Sequence, residues 1–231
     1  MFRTKLAVAV LVSVSLSNGG DISCAAEDQT GWTRLFNGKD LSGWRQFPVP
    51  PSSAAGSSDT WRVQSGEIVC SGKPTGYLIT NQEFENYVLR LQWRWGDNIK
   101  QMRGPNSGVM VHVVGEDKIY PKGIEAQLAS TRAGDFWSAD GFRLKVDEAR
   151  RDARQPAHYW RIKVNEQDEI ERPLGQWNDC VITCAGDTVR VAVNGFDVNV
   201  GTEAECSEGR ILLQSEGTEI HFRNVELKSL Q

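Results

Sequence analysis

YVLRLQWRW, residues Tyr87 to Trp95, decides the fold class. Leu89, Leu91, Trp93 and Trp95 fall on one face of an extended chain, and Arg90, Gln92 and Arg94 on the other. An apolar–polar repeat of two marks a strand that buries one side. The same period recurs further along the chain. In NSGVMVHVV (Asn106 to Val114) it sets Val109, Val111 and Val113 inward, with Met110 and His112 opposite. In GIEAQL (Gly123 to Leu128) it sets Ile124, Ala126 and Leu128 inward, with Glu125 and Gln127 opposite. TVRVAVNG (Thr188 to Gly195) reads as a strand ending in an Asn-Gly hairpin turn. GRILLQ (Gly209 to Gln214) and EIHFRNVELKSL (Glu219 to Leu230) close the domain as strands. No segment sustains a helical period, although DEARRDAR (Asp147 to Arg154) has room for one short turn. Many short antiparallel strands with frequent turns predict an all-β domain, a two-sheet antiparallel sandwich or jelly roll.

Two stretches interrupt the pattern. PVPPSSAAGSSD (Pro48 to Asp59) reads as a flexible surface insertion. Ala129 to Pro173 reads as one long polar connection carrying Phe136, Trp137, Phe142, Tyr159 and Trp160. Long connections in compact domains are functional or disordered, and the aromatics argue against disorder.

The N-terminus carries Arg3 and Lys5, an apolar run from Leu6 to Leu16, and small residues up to Ala25-Ala26. That is the layout of a secretory signal peptide over residues 1–26, and the run is too short to span a membrane. Residues 27–231 then form a single domain, and the protein is expected to be exported, to the periplasm or beyond the cell. Asp21 stands where a lipoprotein signal needs an aliphatic residue, so Cys24 is not expected to carry lipid. The net charge of −4 comes without a basic patch, which argues against a nucleic-acid partner. No second apolar stretch is long enough to span a membrane. Cys180 and Cys184 lie too far apart along one strand to bridge each other. With Cys70 and Cys206, they read either as buried thiols or as disulfides that involve Cys70 or Cys206.

The chain lacks nucleophile-elbow, phosphate-loop and zinc-helix motifs. Three histidines do not make a metal site, and Asp135, Asp140 and Asp147 lack the spacing of a calcium loop, so no cofactor is expected. Sequence spacing offers no carboxylate pair of the kind ordinary glycosidases use. Instead, alternation puts Arg94, His112, Glu125 and Gln127 on the side of their strands away from the core. Glu125 and Gln127 are two apart and point the same way. A carboxylate can move a proton, an amide can fix hydroxyls, and an Arg can hold developing negative charge. A solvated sheet face accounts for the same pattern. Trp137 and Trp160 are candidates for stacking on a sugar ring, and His158 is a further candidate acid or base.

WTRLFNGKDLSGW (Trp32 to Trp44), WRVQSGEIVC (Trp61 to Cys70), NSGV, GIEAQ, ERPLGQWND (Glu171 to Asp179), VNG, GRILLQ and FRNVELK (Phe222 to Lys228) occur in this order. Together they resemble the 3-keto-disaccharide hydrolase domain family, across essentially the whole mature chain. The resemblance implies a concanavalin A-like jelly roll and a carbohydrate substrate, a glycoside oxidised to a ketone at carbon 3. A ketone there acidifies the C2 proton, so one base, an oxyanion stabiliser and an acid suffice to eliminate the C1 substituent. By matching motif, the resemblance implies that Glu125 is the base, or the partner that orients one, with Gln127 and Asn106 binding substrate. His112 stands where such sequences often carry Arg. The alternative reading is a non-catalytic carbohydrate-binding or structural surface module.

Overall fold

The period-two segments form strands. The computed structural model describes residues 31–48, 60–97, 99, 104–164 and 169–230. The signal peptide expected over residues 1–26 lies outside the described residues, as do residues 49–59 of the Pro48 to Asp59 insertion. In chain order the first strands are β1 (Thr33–Arg34), β2 (Trp44–Phe47), β3 (Trp61–Gln64), β4 (Glu67–Cys70), β5 (Gly76–Thr80) and β6 (Phe84–Glu85). β7 (Tyr87–Trp95), β8 (Gly108–Val114), β9 (Lys122–Gln127), β10 (Phe136–Ala139), β11 (Arg151–Asp152) and β12 (Gln155–Tyr159) follow. β13 (Asn178–Ala185), β14 (Thr188–Val193), β15 (Phe196–Gly201), β16 (Glu208–Ser215) and β17 (Ile220–Ser229) complete the set. No helix among the described residues is long and apolar enough to cross a membrane.

Two antiparallel sheets result. The first runs β15-β14-β13-β7-β17-β4-β3, with β1 also paired to β17. The second runs β11-β12-β10-β9-β8-β16-β5-β2, with β6 also paired to β16. Leu89, Leu91, Trp93 and Trp95 of β7 pack against Val109, Val111, Ile124 and Ala126 of the second sheet in one core. Burying each Val, Leu or Ile contributes about 1.5–3 kcal/mol. The predicted hairpin follows β14: Asn194 (φ 49°) and Gly195 (φ 86°) are both left-handed, as a two-residue primed turn requires. Cys70, Cys180, Cys184 and Cys206 are free thiols, and the first three are buried.

The structure departs from the pattern in two places. The Ala129 to Pro173 connection is not one loop. It supplies β10, β11 and β12, which extend the second sheet, and a short 3₁₀ turn at Glu148–Arg150. These strands have two to five residues and carry Arg, Gln and Asp, too few and too polar to show a period. The 3₁₀ turn falls inside DEARRDAR, where Asp147 Oδ1 accepts the Ala149 N–H at 3.0 Å.

The second departure is in β8. His112 has a left-handed φ of 52°, and the register with β9 shifts between Val111 and Val114. A bulge of this kind reverses the in–out order downstream. His112, expected on the outer face, instead stacks on the core residue Phe142, with ring centroids 6.4 Å apart and planes 3° from parallel. Val113, expected inward, joins Met110 in an outer-face cluster with Tyr77, Ile79 and Leu212. β16 passes the bulge at Gly209, where a Cβ would lie 2.6 Å from the His112 carbonyl carbon and 2.8 Å from the Val113 nitrogen. Those are backbone atoms and cannot swing aside. Gly209→Ala is therefore expected to destabilise the fold by about 3 kcal/mol or more, read as a lower urea midpoint.

Candidate active site

Alternation tells which residues leave the core but not which sheet they leave from. Arg94 lies on β7, in the first sheet, whereas Glu125 and Gln127 lie on β9, in the second. The two outer faces point away from each other across the core. Arg94 donates to Glu67 at 3.1 Å, beside His221, and sits over the Trp177 ring at 5.1 Å. It is no part of a Glu125 cluster, and the expected catalytic trio of Glu125, Arg94 and His112 does not assemble. His112 is fully buried with no partner for either ring nitrogen, and burial pushes its pKa down to about 4.

What gathers round Glu125 is a different set. Met110, Glu125, Trp137 and His158 stand side by side across β8, β9, β10 and β12. Glu125 is 8% exposed. A Cβ on Gly108 would lie 2.5 Å from Glu125 Oε1 and 2.2 Å from Gln214 Oε1, so glycine there leaves room for both side chains. Neither oxygen has a hydrogen-bond partner. A proton would turn the Glu125 carboxyl from acceptor to donor; the Gln214 side chain acts the other way on Glu125 and lowers its pKa, a smaller effect than burial and the charge of Glu216.

Glu216 follows the end of β16 and is the second carboxylate. Its Oε2 accepts from Asn106 Nδ2 at 2.7 Å. Burial raises the pKa of Glu216. Burial first, and then the charge of Glu216, push Glu125 up to about 8. Glu125 therefore keeps its proton at neutral pH while Glu216 gives its own up first, since like charges side by side cannot both ionise cheaply. Tyr120 is 56% exposed, and its hydroxyl feels both carboxylates. The loop that carries it, residues 115–121, is tied down through Asp117, which accepts from Tyr77 Oη at 2.8 Å and from Arg45. Lys118 pairs with Asp140.

The remaining expected residues divide. Asn106 joins the site through Glu216. Gln127 is buried, and its Oε1 accepts the backbone N–H groups of Leu128 and Ala129, both at 3.1 Å. Its carbonyl is used by the chain itself. His158 is fully buried, with Nε2 2.8 Å from Asp135 Oδ2 and Nδ1 3.2 Å from Asp152 Oδ2. Trp137 stacks on its ring at 4.6 Å, and Trp160, 43% exposed, meets it edge-on at 4.3 Å. Asp135, Asp140 and Asp147 serve His158, Lys118 and the 3₁₀ turn separately.

Sequence reading missed Glu216, Gln214 and Tyr120. A signal existed for two of them. Gln214 ends GRILLQ, and Glu216 is two residues on, at the same parity on an extended chain. Tyr120 sits in a loop without a period.

Residues 31–228 match the family described as the 3-keto-alpha-glucoside-1,2-lyase-like domain. The chain is 24% identical over 249 aligned residues to the 3-keto-disaccharide hydrolase of Bacteroides thetaiotaomicron, an alignment covering 88% of this chain and 80% of the relative. A crystal structure from Parabacteroides distasonis, provisionally named a glycosyl hydrolase, superposes with a TM-score of 0.62 at 24% identity, over 87% of this chain and 95% of that one. The carbohydrate binding module CBM66 of Bacillus subtilis superposes with a TM-score of 0.56 at 13% identity, over 81% and 96%. These structural likenesses bear on the fold, the two-sheet jelly roll anticipated from the strand pattern.

Proposed function

The chain belongs to the 3-keto-alpha-glucoside-1,2-lyase-like family, a carbohydrate-active family, and from that premise we propose that it is an enzyme that cleaves 3-keto-glycosides at the Glu125–Glu216 pair. The observation that carries this reading is the pair itself: buried Glu125 on β9 and half-buried Glu216 just past β16, where burial and the charge of Glu216 hold the Glu125 pKa up to about 8. That is a matched acid and base.

Glu216, ionised and held by Asn106, takes the C2 proton. The C2–H electron pair moves toward the C3 carbonyl and then into a C1–C2 double bond. The C1–O bond breaks with its electrons on the leaving oxygen, which takes the proton of Glu125. Water adding across the double bond gives net hydrolysis. The family resemblance implied that Glu125 is the base, or the partner that orients one; a second carboxylate beside it supports the role of acid instead. Trp137 and Trp160 flank the pair on the β10–β12 side, where an exposed indole can stack on a sugar ring. The N-terminal pattern supports export, so the substrate is met outside the cytoplasm.

The test is a 3-keto-glucoside carrying deuterium at C2. Release of the leaving alcohol or sugar with loss of deuterium to solvent is the expected result. Product that retains the label would point to direct displacement at C1. Saturable sugar binding with no turnover would make the chain a binding module.

A further inference from the structure

The reaction needs a positive group for the charge that develops on the C3 oxygen, and Arg94 is on the wrong sheet. The turn between β9 and β10 supplies another. β9 carries Glu125 and, two residues on, Gln127; the turn begins there. Gln127 Oε1 holds the N–H groups of Leu128 and Ala129. Glu171, from the ERPLGQWND motif, holds the far side: its Oε2 accepts from Thr131 N at 3.1 Å and its Oε1 from Ala133 N at 3.0 Å. These two N–H groups bracket Arg132. The turn is also stitched to the strand entry that bears Asn106, through Leu128 N to Ser107 O at 2.9 Å and Ser130 N to Pro105 O at 3.1 Å.

The backbone is strained where it is clamped. Thr131 is β-branched and has a left-handed φ of 69°. Such a conformation costs on the order of 1–3 kcal/mol and persists only where its surroundings over-determine it. Four backbone N–H groups held by two side chains supply that constraint. The clamped turn thus carries one cation, Arg132, on the connection that begins two residues, about 7 Å along the strand, beyond Glu125. The charge of Arg132 is among those that bear on Glu125, and it lowers the carboxyl's pKa against the larger effects of burial and Glu216.

We propose that Arg132 is the cation of this site, stabilising the oxyanion formed at C3 as the C2 proton leaves, and that Glu171 and Gln127 are positioning residues that hold it there. The inference rests on the reaction proposed above. Arg132 gives up no proton and takes no electrons. It lowers the barrier by Coulomb attraction and hydrogen bonding to the enolate oxygen, an interaction stronger in the transition state than with the ketone.

The groups that face Glu125 are Glu216 and Gln214 from the β16 side, Asp135 and Arg132 from the β9–β10 turn, and Tyr120 from the β8–β9 loop. Removing Arg132 leaves only negative and neutral groups among them, so the Glu125 proton must be held to higher pH. Arg132→Ala is expected to lower kcat roughly a hundredfold with a smaller change in KM. Its alkaline limb should move upward, and added guanidinium should restore part of the rate. Glu171→Gln, which keeps one acceptor and loses the other, should lower kcat less, without moving KM in proportion. The melting temperature of each variant checks its fold. Should the wild type turn over no 3-keto-glucoside, carbonyl infrared titration of Glu125 in wild type and Arg132→Ala still reads the coupling without turnover. Arg132→Ala within threefold of wild type in kcat, with an unmoved alkaline limb, would overturn the proposal. So would a Glu125 carboxyl that titrates alike in both proteins.

Discussion

Glu125→Gln is expected to cut kcat roughly a hundredfold to ten-thousandfold and, in the same protein, to raise the melting temperature. The two effects share one cause. Glu125 is buried beside Glu216, and its pKa is raised from about 4.5 in the unfolded chain to about 8 in the fold. A group raised on folding contributes stability that is present below its unfolded value and is lost as pH rises through the folded one. At pH 7 the unfolded chain carries Glu125 ionised and the fold holds it protonated, so burial costs the protein roughly 3 kcal/mol. Glutamine is neutral at every pH, fills the same space and can donate to Gln214 Oε1. It removes the cost and the catalytic proton together. Urea midpoints at pH 5 and pH 8 should show the gain growing with pH. A variant that is both inactive and less stable would mean that Glu125 is held by a cation rather than by its own proton.

Glu216→Gln tests the partner. The rate of the wild type should fall at low pH, as Glu216 protonates, and at high pH, as Glu125 loses its proton near pH 8. These limbs belong to the coupled pair as a whole. In Glu216→Gln the activity that remains should lose its acid limb. Without the neighbouring charge the alkaline limb should fall to lower pH.

The legible part of this protein was the part governed by period two. β7, β9, β14, β16 and β17 all lie where the strand pattern put them; β7 and β14 bury every second residue, whereas β9 and β16 are covered on both faces and β17 changes phase at a bulge between Arg223 and Glu226. Glu125 was legible from the same pattern and through its motif, and Asn106 through its motif alone. Arg94 was misplaced because a period says nothing about which of two stacked sheets a strand joins; that depends on long-range pairing, here β7 with β13 and β17. β10 to β12 were hidden by shortness. Gln127 was expected to contact substrate and Glu171 was marked only by its motif, yet the oxygens of both go to the turn that presents Arg132. The acid pair itself joins residues 91 positions apart on β9 and after β16, a proximity created by sheet order alone.

His112→Phe is expected to remove the histidine's own share, about 3 kcal/mol, of the stability lost between pH 6.5 and pH 4. The histidine is fully buried, both ring nitrogens lack partners, and its ring lies parallel to Phe142. Burial lowers its pKa to about 4, against 6.5 in the unfolded chain. Its neutral form is the one the core accepts. Above pH 6.5 neither state binds the proton and nothing is lost. As pH falls below 6.5 the unfolded chain binds it and the fold does not, so stability declines until the folded group titrates near pH 4. The loss reaches about 2 kcal/mol at pH 5 and about 3 kcal/mol in full. Phenylalanine keeps the stack and removes two unsatisfied polar atoms, which favours the fold at all pH. Against that stands the left-handed φ of 52°, which histidine tolerates better than phenylalanine. The level of stability at pH 7 is therefore a balance, whereas the slope with pH is not. Glu125 shifts stability the opposite way over the same range, so the quantity to measure is the difference between variant and wild type at each pH. If that difference is flat from pH 7 to pH 4, then the His112 ring reaches a proton partner in solution, and the bulge in β8 is open to water rather than sealed against the core.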